Sequence, residues 1–243
     1  MDVSSWDGTL SPHEFSIAAR TLAHEWKRFN PAFPPWTWVP SQNRLGLASH
    51  NVCYLVDGYL TLEKLCIHGG PSEIHMPSQE EKVYEEIYTE KEELSDNATL
   101  VESNSCELHF YDFHIVYSAA YRVPVLYFRV YSIDGQPLVL DELKDLPACS
   151  EKLLLESKWT FITQEEHPHL NRPWYMLHPC GTSEWMKLLF SSDASLAKKG
   201  VVVELYLVSW LSVVGQVVGL TIPFELLNCL KSSLLSCCKQ DAG

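Results

Sequence analysis

The chain is poor in basic residues, and this limits the partners that it can bind. Its 243 residues include 18 lysines and arginines against 31 aspartates and glutamates, which gives a formal net charge of −13. Binding to nucleic acid phosphates or to an anionic membrane surface needs a concentrated basic face. The composition therefore argues against both functions. Disorder of the whole chain is also excluded, because 12% of the residues are aromatic and supply core material.

The cysteines lack the spacing of a metal site or of a secreted disulfide scaffold. The eight cysteines are Cys53, Cys66, Cys106, Cys149, Cys180, Cys229, Cys237 and Cys238. No C-x₂₋₄-C pair occurs among them, and the first residues lack the basic and apolar regions of a secretory signal. We therefore expect reduced thiols in the cytoplasm, no bound metal and no cofactor. Lipidation of the adjacent pair Cys237 and Cys238 is a weak alternative.

One segment, residues 71–107, carries most of the negative charge. It holds eleven acidic residues and two lysines, a charge of −9, which leaves −4 for the rest of the chain. Such a segment buries too little apolar surface to offset the entropy of ordering it. We predict a disordered acidic insertion, either a solvated loop without a role or a docking segment for a basic partner. The predicted organisation is one domain over residues 1–243, with this insertion and a flexible tail over residues 229–243.

Residues 205–222 form a long run without a charged residue. Eighteen residues is close to the lower limit for a transmembrane helix. The polar side chains of Ser209, Ser212 and Gln216 within the run favour a buried core element that ends at Pro223. We therefore predict no stable membrane span.

The pattern of elements predicts an α+β domain. Ser11, Pro12 and Glu14 form the start signature of a helix, and an apolar stripe follows them. Strict alternation over residues 109–117 and β-forming residues over 125–131 predict neighbouring antiparallel strands. Further extended segments are predicted at 52–56, 59–67, 159–163 and 174–177, and helices at 141–146, 149–155 and 183–190. We expect a central antiparallel sheet of about four strands or more, covered by the N-terminal helix and by C-terminal helices.

Cys180 has unusual surroundings among the cysteines. It lies between a short apolar strand and a helix, after Pro179 and before Gly181, which permits close approach of another molecule. The positive end of a helix that is capped by Thr182 or Ser183 favours the thiolate, which is the nucleophilic form. On these residues alone, Cys180 is either a reactive thiol or a structural thiol at a turn.

No sequence feature identifies one of the histidines as the general base that a cysteine hydrolase needs. His178 lies two residues from Cys180, across a proline. His114 and His167 remain open as distant bases. The run from His167 to His169 favours a loop with a surface histidine over a pair of metal ligands.

Several runs, in the same order along the chain, resemble the autophagy E2-like conjugating enzymes. They are FHIVYS (113–118), YRVPVLYFR (121–129), DGQPL (134–138), ITQEEHP (162–168), LHPC (177–180) and WLSVVGQVVGL (210–220). The His-Pro-Cys run alone is a weak signature, whereas the ordered set is specific. The length of the chain favours the family member that modifies a protein over the sibling that loads lipid, which carries long insertions.

The resemblance implies an E2-like fold and a transferase that works during autophagosome formation. An E1-like activating enzyme hands over a ubiquitin-like modifier, number twelve of the autophagy series, as a thioester on its C-terminal glycine. Cys180 accepts the modifier, and a lysine of the acceptor protein, number five of the series, then receives it. His178 is expected to orient the thioester or to stabilise the oxyanion, and Tyr117 to approach the incoming lysine.

Two other functions stay open at this point. One is a non-catalytic adaptor that docks the modifier or the E1-like enzyme, with Cys180 as a structural thiol. The other is a cysteine hydrolase of modifier conjugates, which needs a distant histidine. The His-Pro-Asn motif of ubiquitin E2 enzymes is missing. Asn171 lies upstream of Cys180, but no sequence feature indicates that its side chain points towards the site.

Overall fold

The backbone forms a six-stranded antiparallel sheet with helices packed on one face. The computed structural model describes residues 6–41, 58–68, 108–144, 162–192 and 199–240. The strands are β1 (Thr37–Pro40), β2 (Gly58–His68), β3 (Leu108–Ser118), β4 (Val123–Tyr131), β5 (Ile162–Glu166) and β6 (Pro173–Leu177). The helices are α1 (Pro12–Phe29), α2 (Leu140–Lys144), α3 (Thr182–Ser191), α4 (Lys199–Val214) and α5 (Phe224–Gln240), and a 3₁₀ turn spans Gly215–Val218.

The strands lie in the order β1-β2-β3-β4-β6-β5, and every neighbouring pair is antiparallel. This confirms the predicted α+β class with a central antiparallel sheet. The predicted elements at 52–56 and 149–155 and the acidic insertion at 71–107 lie outside the described residues.

Helix α1 begins with the capping box that the sequence predicts. The Ser11 hydroxyl accepts a hydrogen bond from the Glu14 backbone N–H at 3.3 Å, and the Glu14 carboxylate accepts one from the Ser11 N–H at 2.7 Å. Two backbone donors at the start of the helix are thereby satisfied. The apolar stripe of α1 packs on the sheet and on α4.

We expect Ser11→Ala to lower the free energy of unfolding by about 1 kcal/mol, because the Glu14 N–H loses its side-chain partner. In a chain of this size the melting temperature should fall by roughly 2–4 °C. Thermal unfolding followed by circular dichroism measures this change. Ser16→Ala is the matched control, since the Ser16 hydroxyl bonds only to a carbonyl within the helix, that of Pro12. An equal loss in both variants would contradict a capping role.

Alternation along the strands places successive side chains on opposite faces of the sheet. The face under the helices buries many more apolar residues than the opposite face. On β3, Phe113 and Ile115 point into the main core under the helices, while His114 and Val116 lie on the opposite face. The opposite face carries a second, smaller apolar cluster. Its buried members are Tyr59, Val116, Val125, Tyr127, Trp174 and Met176.

The uncharged run forms a core helix. Residues 200–218 are long and apolar enough to cross a membrane, but 72% of their most apolar window is buried inside the protein. Tyr206 and Trp210 of α4 are among the most deeply buried large side chains. The prediction of a buried element is confirmed, and it starts earlier than predicted, because α4 begins at Lys199.

The C-terminal region differs from the flexible tail predicted for residues 229–243. Helix α5 continues to Gln240, and Leu230 is buried while Leu234 packs against the main core. The apolar spacing that the sequence shows at 227, 230 and 234 is therefore used in packing.

Candidate active site

Strand β6 carries the chain from the sheet to Cys180. Residues 174–177 of β6 are buried between β4 and β5, and the chain leaves the sheet after Leu177. His178, Pro179 and Cys180 then form a short connection to α3. The Cys180 thiol is free and half-buried, so it is neither sealed in the core nor fully exposed.

The connection is a tight turn whose backbone is fixed by hydrogen bonds. The Thr182 N–H donates to the Pro179 carbonyl, and the Trp185 N–H donates to the Gly181 carbonyl, both at 3.1 Å. Gly181 is the N-cap residue, and its φ of 78° lies in the left-handed region that favours glycine. The prediction that Thr182 or Ser183 caps the helix is wrong. Both already lie within α3, and among the described residues no side chain bonds to its first amides.

His178 is held against Cys180 by the main chain. The Cys180 N–H donates to Nδ1 of His178 at 3.2 Å, so in the neutral ring the proton resides on Nε2. The ring also contacts Tyr121 edge-on, with 5.7 Å between the ring centroids. In its neutral form His178 therefore carries an N–H donor on Nε2, while Nδ1 is occupied by the Cys180 N–H. This geometry suits a group that stabilises negative charge on a bound carbonyl oxygen.

Tyr121, which the sequence reasoning did not name, contacts His178, whereas Tyr117 makes its contacts elsewhere. It lies in the turn between β3 and β4 and is 47% exposed. The Tyr117 hydroxyl instead donates to the Leu10 carbonyl at 2.8 Å, and its ring packs against Phe15. Burial raises the pKa of Tyr117, which keeps this hydroxyl protonated as a donor. An exposed aromatic in a tight turn between two strands was the available signal for Tyr121.

Asn171 lies at the opposite end of β6 from Cys180. It stands in the β5–β6 loop, where its N–H donates to the His167 carbonyl at 3.0 Å. The five residues of β6 separate this loop from the Cys180 turn by roughly 16 Å, at about 3.3 Å per residue. Asn171 therefore takes no part in the chemistry at Cys180.

The two histidines that the sequence left open as distant bases are bonded to each other instead. Nδ1 of His114 lies 3.0 Å from Nε2 of His167, and the His169 N–H donates to Nδ1 of His167 at 3.2 Å. These bonds place the His167 proton on Nε2, where it is donated to His114. The run 167–169 was predicted to be a loop with a surface histidine, but His167 is 0% exposed and His169 is half-buried.

Burial keeps this histidine pair neutral. Loss of hydration is the main cause that lowers the pKa of His114 and of His167 to about 3, and neighbouring positive charge adds to it. Aromatic rings enclose the pair, with those of Tyr59 and Trp174 both in contact. The pair is part of the second cluster, at the start of β6, and it is not arranged to serve as the base of a hydrolase.

Across the described parts of the chain, no group of three or more histidine, cysteine, aspartate or glutamate side chains is arranged to hold a metal ion. A half-buried free thiol just after strand β6, followed at once by a helix, is suited to carry an acyl group.

An antiparallel sheet with a free cysteine between strand β6 and helix α3 fits the class of E2-like conjugating enzymes that the ordered motifs predict. Residues 14–225 match the family described as "Autophagocytosis associated protein, active-site domain". The chain belongs to this family, and it is an E2-like conjugating enzyme of autophagy. The family expected from the ordered sequence motifs is thereby confirmed.

Two curated relatives and one solved structure share the name ATG10. The chain is 55% identical to the ubiquitin-like-conjugating enzyme ATG10 of Arabidopsis thaliana over 223 residues, which cover 91% of this chain and 96% of that protein. It is 39% identical to the ubiquitin-like-conjugating enzyme ATG10 of Homo sapiens over 133 residues, which cover 54% of this chain and 59% of that one. A crystal structure of the autophagic E2 Atg10 has 17% identity and a TM-score of 0.42, and the match covers 86% of this chain and 98% of that one.

Proposed function

We propose that Cys180 is the nucleophile that carries a ubiquitin-like modifier as a thioester. The observation that carries this proposal is the position of a half-exposed, free thiol directly between β6 and α3. In the first step the Cys180 thiolate attacks the carbonyl carbon of the thioester on the E1-like enzyme, and the thiolate of that enzyme leaves. In the second step a neutral lysine amine attacks the new thioester, the Cys180 thiolate leaves and the amine nitrogen loses a proton. The product is an isopeptide bond.

His178 serves this reaction as an oxyanion donor rather than as a base. Each attack on the carbonyl carbon places negative charge on its oxygen, and an N–H donor beside the sulfur stabilises that charge. Nδ1 of His178 already accepts the Cys180 N–H, so proton uptake there would break this bond. The contact with Tyr121 restricts rotation of the imidazole ring.

The specific partners that we propose are the modifier numbered twelve and the acceptor protein numbered five of the autophagy series. Support comes from the conjugating-enzyme name of the relative that is 55% identical over most of the chain. The E1-like activating enzyme of the pathway supplies the modifier. We place the reaction in the cytoplasm, since Cys66, Cys180 and Cys229 of the described chain are free thiols, as a reducing compartment requires.

A charge-and-chase experiment tests these partners. The full chain is incubated with the E1-like enzyme, ATP and modifier twelve, ATP is removed, and protein five is added. We expect a reductant-sensitive adduct that disappears within the chase while a reductant-resistant conjugate of protein five accumulates. Protein five with its acceptor lysine replaced by arginine is the control acceptor, and ubiquitin is the control modifier.

The alternatives give different results in the same experiment. An adaptor binds the modifier without any covalent adduct, and a hydrolase releases modifier from a preformed conjugate. Equal charging with ubiquitin, or a chase in which the arginine variant is modified as fast, would contradict the proposed partners.

A further inference from the structure

The segment Trp6–Leu10, here called the N-terminal strap, lies against the first turn of α3. A Cβ atom on Gly8 would lie 1.8 Å from the Ser183 carbonyl oxygen, 2.7 Å from its carbonyl carbon and 3.1 Å from the Lys187 backbone nitrogen. Gly8 also has a φ of +81°, in the region that other residues rarely adopt. Two main chains are therefore in direct contact here, without room for a side chain at position 8.

Three hydrogen bonds from outside α3 hold main-chain atoms of the strap. The Tyr206 hydroxyl of α4 donates to the Gly8 carbonyl at 2.8 Å, and burial raises the pKa of Tyr206, which keeps this donor protonated. The Tyr117 hydroxyl of β3 donates to the Leu10 carbonyl at 2.8 Å. The Leu10 N–H donates to the Arg122 carbonyl in the β3–β4 turn, also at 2.8 Å.

The strap is also ordered by its own side chains. Trp6 is buried, and its ring lies 5.9 Å from those of Phe190 in α3 and Tyr206 in α4. Its indole N–H donates to the Thr9 carbonyl at 2.8 Å, and the Asp7 carboxylate accepts from the Thr9 N–H at 3.0 Å. The strap is thus a rigid surface that is positioned by the sheet and by α4, and α3 rests on it.

We propose that Gly8 is a positioning residue for Cys180. Helix α3 packs on the core through Met186 and Phe190, and it meets the strap through Ser183. The strap therefore sets the location of the first turn of α3. Because that turn follows Cys180 by two residues, the strap also sets the location of the sulfur beside His178. The inference rests on the proposed function, since it needs Cys180 to be the nucleophile.

A methyl group at position 8 should displace the site. Real Cβ atoms do not approach other heavy atoms closer than 3.0 Å, so position 8 and the Ser183 carbonyl must move apart by about 1 Å or more. Because the sheet and α4 hold the strap, we expect the first turn of α3 to take up this movement. Displacing a reacting group by about 1 Å can reduce a rate by roughly a hundredfold. We expect Gly8→Ala to lower the single-turnover rate constant of Cys180 charging at least tenfold, with an unchanged KM for the charged E1-like enzyme.

Gly135→Ala is the matched control. Gly135 has the same φ of +81°, but a Cβ atom there would have nothing within 4 Å. Both variants therefore place an alanine at the same positive φ, and only Gly8→Ala meets α3. Charging is followed by rapid quench on non-reducing gels, which separates the rate constant from the amplitude. A variant that is only less stable loses amplitude, because fewer molecules are folded, and keeps its rate constant.

A second variant covers the case in which Gly8→Ala does not fold. Tyr206→Phe keeps the buried ring and removes only the hydroxyl that holds the strap at Gly8, and it should lower the rate constant severalfold. A Gly8→Ala rate constant within twofold of that of Gly135→Ala would overturn the inference. If Gly8→Ala cannot be purified folded, a Tyr206→Phe rate constant within twofold of the unaltered chain would overturn it. Charging that persists in Cys180→Ala would instead overturn the proposed function itself.

Discussion

Replacing Cys180 by alanine should abolish the thioester adduct, a loss of more than about 1,000-fold in charging rate. The side chain that forms the bond to the modifier is then missing, and the surrounding donors cannot replace it. Charging with the E1-like enzyme, modifier and ATP on non-reducing gels measures the loss. The matched controls are Cys66→Ala and Cys229→Ala, which remove a half-buried and an exposed free thiol away from the β6–α3 turn. Both should charge at the normal rate.

Cys180→Ser should give a distinct product. A serine hydroxyl at the same position attacks the same carbonyl carbon more slowly and forms an oxyester, which thiol reductants do not cleave. We expect a band that survives reductant and is lost in mild alkali. Adduct formation in Cys180→Ala, or loss of the adduct in Cys229→Ala, would contradict the assignment of the nucleophile.

Mild acid should destabilise the fold strongly through His114 and His167. Both are neutral in the folded protein, with a pKa lowered to about 3, whereas an exposed histidine in the unfolded chain has a pKa near 6.5. The unfolded state therefore binds more protons below pH 6.5, and stability falls as the pH is lowered from there towards pH 3. From pH 7 to pH 5 the two residues together should cost about 4 kcal/mol in the free energy of unfolding.

Urea unfolding at pH 7, 6 and 5 measures this slope. His114→Gln removes one of the two titrating rings and should reduce the slope by about half, whatever its effect at pH 7. His13→Gln is the control, because His13 lies on the exposed side of α1. A slope that is unchanged in His114→Gln would show that the acid sensitivity arises elsewhere.

The parts of the fold that the sequence predicts are those that depend on near neighbours in the chain. The capping box of α1 involves residues three positions apart, and alternation along β3 assigns each side chain to a face. The position of Cys180 between β6 and α3 follows from the same local patterns. These features were predicted because propensity and periodicity act over short distances in the sequence.

The features that the sequence did not predict depend on contacts between distant residues. From its neighbours in the sequence alone, His167 resembles a loop histidine. In the structure it is buried against His114, 53 positions earlier, to which it donates a hydrogen bond. Tyr121 contacts His178 because β4 pairs with β6. This pairing brings the β3–β4 turn beside the residue that follows β6. Gly181, rather than a hydroxyl side chain, begins α3, since the turn after Pro179 requires a left-handed residue there. The bond between His167 and His114 leaves no local pattern, whereas Tyr121 and Gly181 had the weak local signals of an aromatic in a tight turn and a glycine before a helix.

The strap also has a consequence for synthesis on the ribosome. The Gly8 carbonyl accepts from Tyr206, which is translated 198 residues later. At a translation rate of about 5–20 residues per second, Tyr206 is synthesised roughly 10–40 s after the strap. Until α4 leaves the exit tunnel, Trp6 of the nascent chain therefore lacks its packing contact with Tyr206. Competence for modifier transfer should consequently arise only after the residues of α4 have left the exit tunnel.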